Sequence, residues 1–201
     1  MNKAQLWERQ TDQIVSAELL PEMTPEPVVQ TGERWEMFRV RARARLRRKR
    51  APIPEHDHWD WDEKSHDLKL TAYRCLGIRY EDEVQGLMMI STLAIEGRLP
   101  VHKGKPVLYV KYIESAPWNL KGYAGAGARF GGIGSSPIRT AIAVSLEEEF
   151  RGRIALHSLP QSEPFYGRFM EDLGIDLDVE ELRYFEMGEE RALKFMKGGD
   201  V

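Results

Sequence analysis

The sequence predicts an α/β fold, and three observations in its second half support that prediction. The apolar run at 107–113 is typical of a buried strand. A glycine-rich turn follows at 131–134, and beyond it apolar residues recur at helical spacing over 138–146. A further apolar run at 154–159 predicts another strand. Strands and helices therefore alternate in this region.

The glycine-rich turn has the features of an anion-binding site. Ser136 suits the N-cap of the following helix, and Pro137 suits its first turn. Glycines let the backbone approach a phosphate closely, while the free N–H groups and the dipole of the helix face it. The sequence therefore predicts that a phosphorylated ligand binds here.

Two common phosphate-binding motifs are excluded. No Lys-Ser or Lys-Thr pair follows the glycines, so the turn is not a P-loop for nucleoside triphosphates. The dinucleotide fingerprint requires G-x-G-x-x-G, and Pro137 stands where the third glycine belongs. The spacing that is present is R-x-x-G-x-G, formed by Arg129, Gly132 and Gly134.

This spacing resembles the pyrophosphate loop of the GNAT superfamily of acyl-coenzyme A-dependent N-acyltransferases. The downstream order strengthens the resemblance, because the strand at 154–159 is followed by a predicted helix with a Phe165-Tyr166 pair before Gly174. The similarity covers about residues 107–174 and reaches back more weakly to residue 73. It implies a mixed, mostly antiparallel, twisted central sheet with helices on both faces, whose splayed central strands form the coenzyme cleft.

The resemblance also implies a function, the transfer of an acetyl group from acetyl-CoA to an amine by direct attack. The acceptor amine belongs to a small molecule, a peptide or an aminoacyl-tRNA. Backbone N–H groups of the turn hold the diphosphate and Arg129 adds charge, whereas a solvated loop arginine is its alternative role. Ser115 or Ala116 lies near the thioester carbonyl, and Ser158 and Gln161 bond the pantetheine arm. The implied coenzyme-binding residues are Ser115, Ala116, Arg129, Phe130, Gly131, Gly132, Ile133, Gly134, Ser135, Ser158, Gln161 and Phe165.

Acyl transfer also requires that the amine loses a proton and that the departing thiolate gains one. Glu114, at the end of the predicted central strand, is the expected general base or substrate anchor. Its alternative role is an ion pair with Lys111 or with an arginine of the basic segment. His157 is the competing base, because an imidazole titrates near neutrality. Tyr166 is the candidate general acid, with packing against Phe165 as its alternative role.

A segment rich in histidine and tryptophan lies at 55–66. Trp59 and Trp61 are expected to offer flat faces to an acceptor, and His157 is a third substrate-binding candidate. The cluster from His56 to His66 allows a metal-dependent hydrolase as a minor alternative. Its spacing is not that of an established zinc or iron site, so we expect no metal.

The net charge of −3 conceals an uneven distribution. The segment from Arg39 to Arg50 has eight cations and no acid, whereas 171–190 is rich in acids. The residue types of the segment from Arg39 to Arg50 favour a helix, although the alternation of its apolar residues and arginines also allows a strand. Such a segment can contact a polyanion, so the rival function is a nucleic-acid- or ribosome-binding module.

The N-terminal region, 1–30, is expected to be an arm packed on a single acyltransferase domain at 31–201. The arm should contain a helix within 1–20, a proline-rich connector and a short edge strand at 28–30. The further elements expected in the domain are a helix that follows 31–33 and ends before Ala51, and a short helix into which the 55–64 segment leads. Strands are expected at 72–80, 84–95 and 182–187, followed by a terminal helix.

The segment 120–128 is an insertion relative to the GNAT pattern, and its glycines and alanines predict a mobile lid. No apolar run is long enough for a membrane span, and the N-terminus lacks a secretory signal. Cys75 is the single cysteine and is expected in the core, so a cytoplasmic protein is predicted. A homodimer is left open by the sequence.

Overall fold

The computed structural model describes residues 3–198. The strands in this part are β1 (Lys3–Glu8), β2 (Gln13–Leu20), β3 (Tyr73–Tyr80), β4 (Glu83–Glu96), β5 (Pro106–Ser115), β6 (Phe130–Gly131), β7 (Ile154–Ser158), β8 (Glu171–Asp176) and β9 (Leu182–Met187). The helices are α1 (Pro25–Lys49), α2 (Trp61–Ser65), α3 (Lys121–Ala124), α4 (Ser135–Glu147), α5 (Glu163–Tyr166) and α6 (Glu189–Met196). The strand order is β6-β1-β2-β3-β4-β5-β7-β9-β8, with β5 and β7 parallel. The mixed, mostly antiparallel sheet flanked by helices is therefore confirmed.

The chain divides into two compact units. Among the described residues, unit 1 runs up to Met89 and resumes at Tyr112–Pro137. Unit 2 contains Ile90–Lys111 and everything from Ile138 onward. Strands β4 and β5 contribute to both units. The glycine loop and Glu114 belong to unit 1, whereas His157 and Tyr166 belong to unit 2.

The N-terminal residues form a β-hairpin, so the helix predicted within 1–20 is wrong. Strand β1 pairs antiparallel with β2, and β2 pairs with β3. Ala4 and Leu6 are buried while their sequence neighbours are more exposed, which is the period-two pattern of a half-buried strand. Asp12 has a φ of 56°, and such left-handed residues suit tight turns. The predicted arm is thus two strands of the sheet and the start of α1.

Helix α1 begins earlier than predicted, because Pro25 occupies its first turn after an extended N-cap at Thr24. The edge strand expected at 28–30 is therefore helical. The helix buries one face, including Trp35 and Ala42, and ends at Arg50 in a left-handed conformation. Although α1 has 25 residues, neither it nor any other helix within residues 3–198 is apolar over enough length to cross a membrane.

The insertion at 120–128 forms α3 and a 3-10 turn. The Tyr123 side chain is buried against Ala42 and Leu46 of α1 and donates a hydrogen bond to Asp57 Oδ1 at 2.7 Å. The Arg45 guanidinium bonds the carbonyl of Tyr123. These contacts tie the insertion to α1, and its role as a lid stays a prediction.

Helix α4 begins at Ser135, so the predicted N-cap Ser136 already lies in its first turn. Ile138, Ala141, Ile142 and Ser145 are buried, as the helical spacing predicts. Leu146 was expected on that face but is 45% exposed. Ser145 Oγ donates to the Arg153 carbonyl at 2.8 Å, which satisfies a buried hydroxyl.

The helix predicted to open at 160–164 and to end near Gly174 is wrong in its second half. Helix α5 ends at Tyr166, where Gly167 follows, and the chain then enters β8. Glycine weakens a helix interior, which accounts for the early end. Gly174 has a φ of 89° near the register shift between Asp172 and Ile175, so it serves a bulge and not a helix end. Strand β9 and terminal helix α6 are as predicted.

Candidate active site

The glycine loop is anchored at its start by strand β6, which pairs with β1. The Phe130 side chain is buried, and its N–H donates to Asn119 Oδ1 at 3.1 Å. Asn119 in turn donates to the Oε1 of buried Gln85 at 3.0 Å. Phe130, predicted to bind coenzyme, therefore supports the loop from within unit 1.

Beyond Gly131 the loop turns and enters α4. Gly132 has a φ of 78°, in the left-handed region that favours glycine. Ser135 N–H donates to the Gly132 carbonyl at 3.3 Å and closes the turn. The N–H groups of a first helical turn have no acceptor within the helix, and the positive end of the helix dipole lies there. Turn and helix start together have the chemistry of an anion cradle.

Two glycines allow the loop to pack closely in unit 1. A Cβ on Gly86 of β4 would lie 2.9 Å from Ile133 Cγ2 of the loop. A Cβ on Gly131 would lie 2.9 Å from Trp7 Cε3 of β1. Real Cβ atoms do not approach so closely without a shift of their neighbours. The loop is therefore held against β1 and β4, and Ile133 is a buried support rather than an exposed contact.

Arg129, predicted to add positive charge, is paired with carboxylates of the β3–β4 turn. Its Nη1 lies 2.6 Å from Glu83 Oε2, and its Nη2 lies 3.8 Å from Glu81 Oε2. The side chain is 38% exposed. Because exposed ion pairs contribute about 0–1 kcal/mol, a phosphate can compete for this guanidinium.

Glu114 is buried at the end of β5, with both carboxylate oxygens engaged. Oε1 accepts from Arg39 Nη2 at 3.0 Å, and Oε2 accepts from Trp61 Nε1 at 2.7 Å. Burial raises the pKa of Glu114 to about 7, since loss of hydration outweighs the stabilisation by Arg39 and Trp61. The arginine of the basic segment that was the alternative partner of Glu114 is therefore Arg39.

Arg39 is the buried member of the basic segment, with 2% of its surface exposed. Besides Glu114, it bonds the carbonyl of Trp59 through Nη1 at 2.8 Å. Its Nε is buried and has no hydrogen-bond partner among residues 3–198. Arg39 thus holds Glu114 and the segment after α1 together.

The two tryptophans expected to face an acceptor differ in exposure. Trp61 is 1% exposed and packs edge-on against Trp35, 6.3 Å between ring centroids, so its ring offers no open face. Trp59 is half-buried and packs against Tyr112. Lys64 Nζ lies 5.0 Å from the Trp59 ring and 4.2 Å from the Tyr112 ring. Of the two predicted tryptophans, Trp59 is therefore the one whose ring is partly exposed, and Tyr112 packs against it.

The histidine-rich segment does not converge on a metal site. His56 is buried with Nε2 3.7 Å from Glu114 Oε1, and burial, with Arg39 nearby, lowers its pKa to about 4. Asp57 is engaged by Arg43 and Tyr123. Within residues 3–198, no group of three or more His, Cys, Asp or Glu side chains could hold a metal ion.

The central strand β5 changes its pairing along its length. Registered pairs with β7 run from Leu108–Ile154 to Val110–Leu156, while both strands continue beyond them. The Leu108 N–H points to the Arg153 carbonyl at 3.1 Å, but the Ala116 N–H points to Gln85 of β4 at 2.9 Å. In a regular strand, N–H groups an even number of residues apart point the same way. The alternation is therefore interrupted between them, as in a bulge.

This geometry bears on the predicted carbonyl-binding groups. The Ala116 N–H is already bonded, so the N–H groups that remain as candidates lie upstream of it on β5. Strand β5 runs on to Ser115 after its last registered pair with β7.

In unit 2, His157 lies between a tyrosine and an aspartate. Its Nδ1 is 2.7 Å from Tyr109 Oη, and its Nε2 is 3.0 Å from Asp176 Oδ2. Burial lowers the pKa of His157, although Asp176 opposes this. The hydrogen bond from His157, with that from Arg98, lowers the pKa of Asp176 to about 2.

Tyr166, the predicted acid, is 4% exposed among aromatic rings. Ring centroids of Phe165 and Phe185 lie 5.1 and 6.0 Å away. Burial raises the pKa of Tyr166, which makes the phenol a weaker acid.

The two residues predicted to bond the pantetheine arm differ in exposure. Ser158 is buried and donates to the Leu159 carbonyl at 2.9 Å, while Gln161 is exposed in a 3-10 turn.

Comparison with known proteins places this fold. No family model and no curated protein matches the sequence. The solved structure of the aminoglycoside acetyltransferase AAC(6′)-Ib with coenzyme A and kanamycin is similar, with a TM-score of 0.56 and 12% identity over 89% of this chain and 98% of that chain. FeeM, an N-acyl amino acid synthase from uncultured soil microbes, has a TM-score of 0.50 and 14% identity over 88% of this chain and 90% of that chain. A bacterial toxin has a TM-score of 0.52 and 11% identity over 73% of this chain and 84% of that chain.

The chain therefore has the fold of the GNAT N-acyltransferases, as the R-x-x-G-x-G spacing predicts. At these identities the likeness concerns the fold alone. In chain order the glycine loop follows β5 and β6 and leads into α4.

Sequence reasoning missed two sets of contacts at these sites. The Gln85–Asn119 amide pair behind the loop gave no recognisable motif, because its members are far apart in sequence. Asp176 was missed as the partner of His157 because β8 was not predicted. Tyr109 was recognisable as a neighbour of the strand carrying His157, but its role depends on strand register.

Proposed function

We propose that this protein is an acyl-CoA-dependent N-acyltransferase that transfers the acetyl group of acetyl-CoA to an amine. One observation carries the proposal: in a GNAT fold, an R-x-x-G-x-G loop with left-handed Gly132 leads directly into α4. A Cβ added to Gly132 would meet only the Gln5 carbonyl oxygen, at 3.9 Å, so there is space beside this backbone. Such space and the helix N-terminus suit a diphosphate.

The residues then have the following roles. N–H groups from Gly132 to Ser135 bind the diphosphate of acetyl-CoA, and Arg129 neutralises its charge after leaving Glu83. Upstream N–H groups of β5 polarise the thioester carbonyl. Because both oxygens of the buried Glu114 carboxylate already accept hydrogen bonds from Arg39 and Trp61, we assign Glu114 a positioning role, in which it fixes Arg39 beside the segment that carries Trp59.

The acceptor is an amine that can approach the Trp59–Tyr112 face. Lys64 Nζ lies 5.0 Å from the Trp59 ring and 4.2 Å from the Tyr112 ring, which supports cation binding at this face. A protonated amine of the acceptor can occupy the same kind of position. Tyr166 as general acid stays a prediction, and its test is the rate of the Tyr166→Phe variant with unchanged acetyl-CoA affinity.

The basic segment supports a second element of the proposal, contact with a polyanionic acceptor such as an aminoacyl-tRNA. Within residues 3–198, no ion pair involves the exposed cations Arg41, Arg47, Arg48, Lys49 and Arg50. Unneutralised cations on one helix create a positive field that attracts phosphates.

Isothermal titration calorimetry with acetyl-CoA tests the central proposal. The wild-type protein should bind acetyl-CoA. Gly132→Val should bind it about tenfold or more weakly. The left-handed backbone costs a β-branched residue about 1–2 kcal/mol, so the loop leaves the conformation that presents its N–H groups to the diphosphate. Gly104→Val is the matched control, since Gly104 has a φ of 73° and nothing within 4 Å of an added Cβ.

Gly104→Val should therefore lose similar stability while retaining acetyl-CoA affinity. Wild-type protein that does not bind acetyl-CoA or CoA would remove the proposal. Equal acetyl-CoA affinities of Gly132→Val and Gly104→Val would show that the glycine loop does not bind the coenzyme.

A further inference from the structure

We propose that Arg9 binds a phosphate group of the coenzyme at the start of the glycine loop. The inference rests on the proposed function, because it concerns how unit 1 holds acetyl-CoA. It names a cation that the R-x-x-G-x-G spacing does not contain, since Arg9 lies in the turn between β1 and β2.

The backbone fixes Arg9 beside the loop. Strands β1 and β6 pair Trp7 with Gly131. The Arg9 N–H donates to the Arg129 carbonyl at 2.9 Å, which continues this ladder past the end of β1. Side chains two residues apart on an extended chain point to the same face, so Trp7 and Arg9 lie on one face of the hairpin.

Gly131 allows the Arg9 guanidinium to approach the loop backbone. A Cβ on Gly131 would lie 3.1 Å from Arg9 Nη2 and 3.4 Å from Arg9 Cζ. Gly131 does not have a left-handed φ, so its backbone conformation does not require glycine. The close approach of Trp7 and Arg9 requires it instead. Gly132, beside which the proposed function places the diphosphate, is the next residue, about 3.8 Å away between Cα atoms.

The Arg9 guanidinium has hydrogen-bonding capacity left for a ligand. Among residues 3–198, no hydrogen bond or ion pair engages its side chain, and its Nε is buried without a partner. Arg9 Cζ lies 4.8 Å from the Trp7 ring centroid, and this cation–π contact holds the guanidinium in place. A buried donor without a partner is unfavourable, and a phosphate oxygen can satisfy it.

Arg9 differs in this respect from Arg129, which stands opposite it. Arg129 is paired with Glu83, so a phosphate must displace a carboxylate to reach it. Arg9 requires no such displacement. Like charges opposite each other on neighbouring strands are unfavourable, and a bound anion relieves the repulsion. Because arginine bonds phosphate oxygens in a bidentate geometry, the pair of guanidinium groups suits a phosphate group.

Isothermal titration calorimetry with CoA tests the role of Arg9. Arg9→Met keeps an unbranched chain over Trp7 but removes the charge. CoA should therefore bind roughly 10- to 100-fold more weakly, as expected when a hydrogen-bonded charge is lost. Arg9→Lys keeps the charge without the planar fork, so its CoA affinity should lie between those of wild type and Arg9→Met. If Arg9→Met does not fold, Arg9→Gln gives the same comparison.

Arg79→Met is the matched control. Arg79 is also a cation of unit 1, but it is exposed and paired with Glu18. The substitution changes the net charge equally, and a screened charge away from the ligand contributes little. Its CoA affinity should stay within about twofold of wild type.

Dephospho-CoA, which lacks the 3′-phosphate, identifies the group that Arg9 binds. If Arg9 binds the diphosphate, the ratio of the affinities of wild type and Arg9→Met should be the same for dephospho-CoA as for CoA. If Arg9 binds the 3′-phosphate, that ratio should fall to the value of the Arg79→Met control. Either result supports a phosphate contact at Arg9.

The outcomes distinguish the role of Arg9 from the proposed function. Equal CoA affinities of Arg9→Met and Arg79→Met would overturn the role of Arg9 and leave the proposed function intact. Equal losses in Arg9→Met and Arg9→Lys would also overturn it, because they would show that packing and not charge is involved. Wild-type protein that does not bind CoA would remove the proposed function, and the role of Arg9 with it.

Discussion

Each unit holds a carboxylate that accepts a hydrogen bond from an arginine, yet the pKa values of the two carboxylates shift in opposite directions. In unit 1, the pKa of Glu114 rises to about 7, with burial as the largest cause. In unit 2, the pKa of Asp176 falls to about 2, because the hydrogen bonds from His157 and Arg98 outweigh the effect of desolvation. Arg98 is 49% exposed, whereas Arg39 is 2% exposed. Hydration of the pair, rather than the presence of a partner, decides the sign.

The largest effect should come from breaking the buried pair of unit 1. Arg39→Ala leaves Glu114 buried without its cation and should cost about 3–5 kcal/mol in the free energy of unfolding at pH 8, where Glu114 is ionised. Arg79→Ala removes one member of an exposed pair with Glu18 and should cost about 0–1 kcal/mol. Urea denaturation followed by circular dichroism measures both.

Arg39→Lys provides a second test if the alanine variant does not fold. It keeps the charge but loses the bidentate donor set that bonds both Glu114 and the Trp59 carbonyl. Its stability should lie between those of wild type and Arg39→Ala. Equal effects of Arg39→Ala and Arg79→Ala would contradict the importance of burial.

The pH dependence of Glu114 should have the opposite sign to that of an ordinary carboxylate. Its pKa is raised from 4.5 to about 7 on folding, so the native state binds a proton that the unfolded state releases. Relative to Glu114→Gln, wild type should gain on the order of 1–3 kcal/mol as the pH falls from 7 to 4.5. Denaturation of both proteins at several pH values measures the difference, and a gain with rising pH would contradict it.

Asp176 should give a smaller effect with the usual sign. Its pKa falls from 3.8 to about 2 on folding, so its contribution is present above pH 3.8 and is lost as the pH falls towards 2. The difference in free energy of unfolding between wild type and Asp176→Asn should therefore become smaller as the pH falls from 5 to 2. Acid-unfolding curves check this, and an unchanged difference between pH 5 and pH 2 would argue against the bonds from His157 and Arg98.

The contrast between the units also explains what the sequence could predict. The glycine loop, β5, β7 and β9 have strong local signals, because apolar runs and the R-x-x-G-x-G spacing are read along the chain. Glu114 was recognised because a glutamate in an apolar strand requires a partner. The identity of that partner as Arg39 was not predictable, since any arginine on a basic helix fits the pattern.

The N-terminal hairpin and β8 were missed for a physical reason. Their apolar residues are few and also fit a helical period, and what makes them strands is pairing with neighbours distant in sequence. Without β8, Asp176 could not be placed beside His157. Dependence on long-range pairing therefore limited the prediction of both the fold and the surroundings of His157.

The exposed cations of α1 complete the comparison, because they lack the carboxylates that Arg39 and Arg98 have. Arg41 and Arg48 lie two turns apart on one face, and no ion pair among residues 3–198 includes them. Double reversal, Arg41→Glu with Arg48→Glu, should change unfolding free energy by no more than about 0.5 kcal/mol. It should weaken binding to single-stranded oligouridylate and flatten the salt dependence by about 1.4 in slope, as expected for two lost phosphate contacts. Lys3→Glu with Arg79→Glu changes the net charge equally, away from α1, and should leave that slope within error. Fluorescence anisotropy over a salt series measures the slope, and equal loss in the two double variants would show that net charge, and not this face of α1, attracts the polyanion.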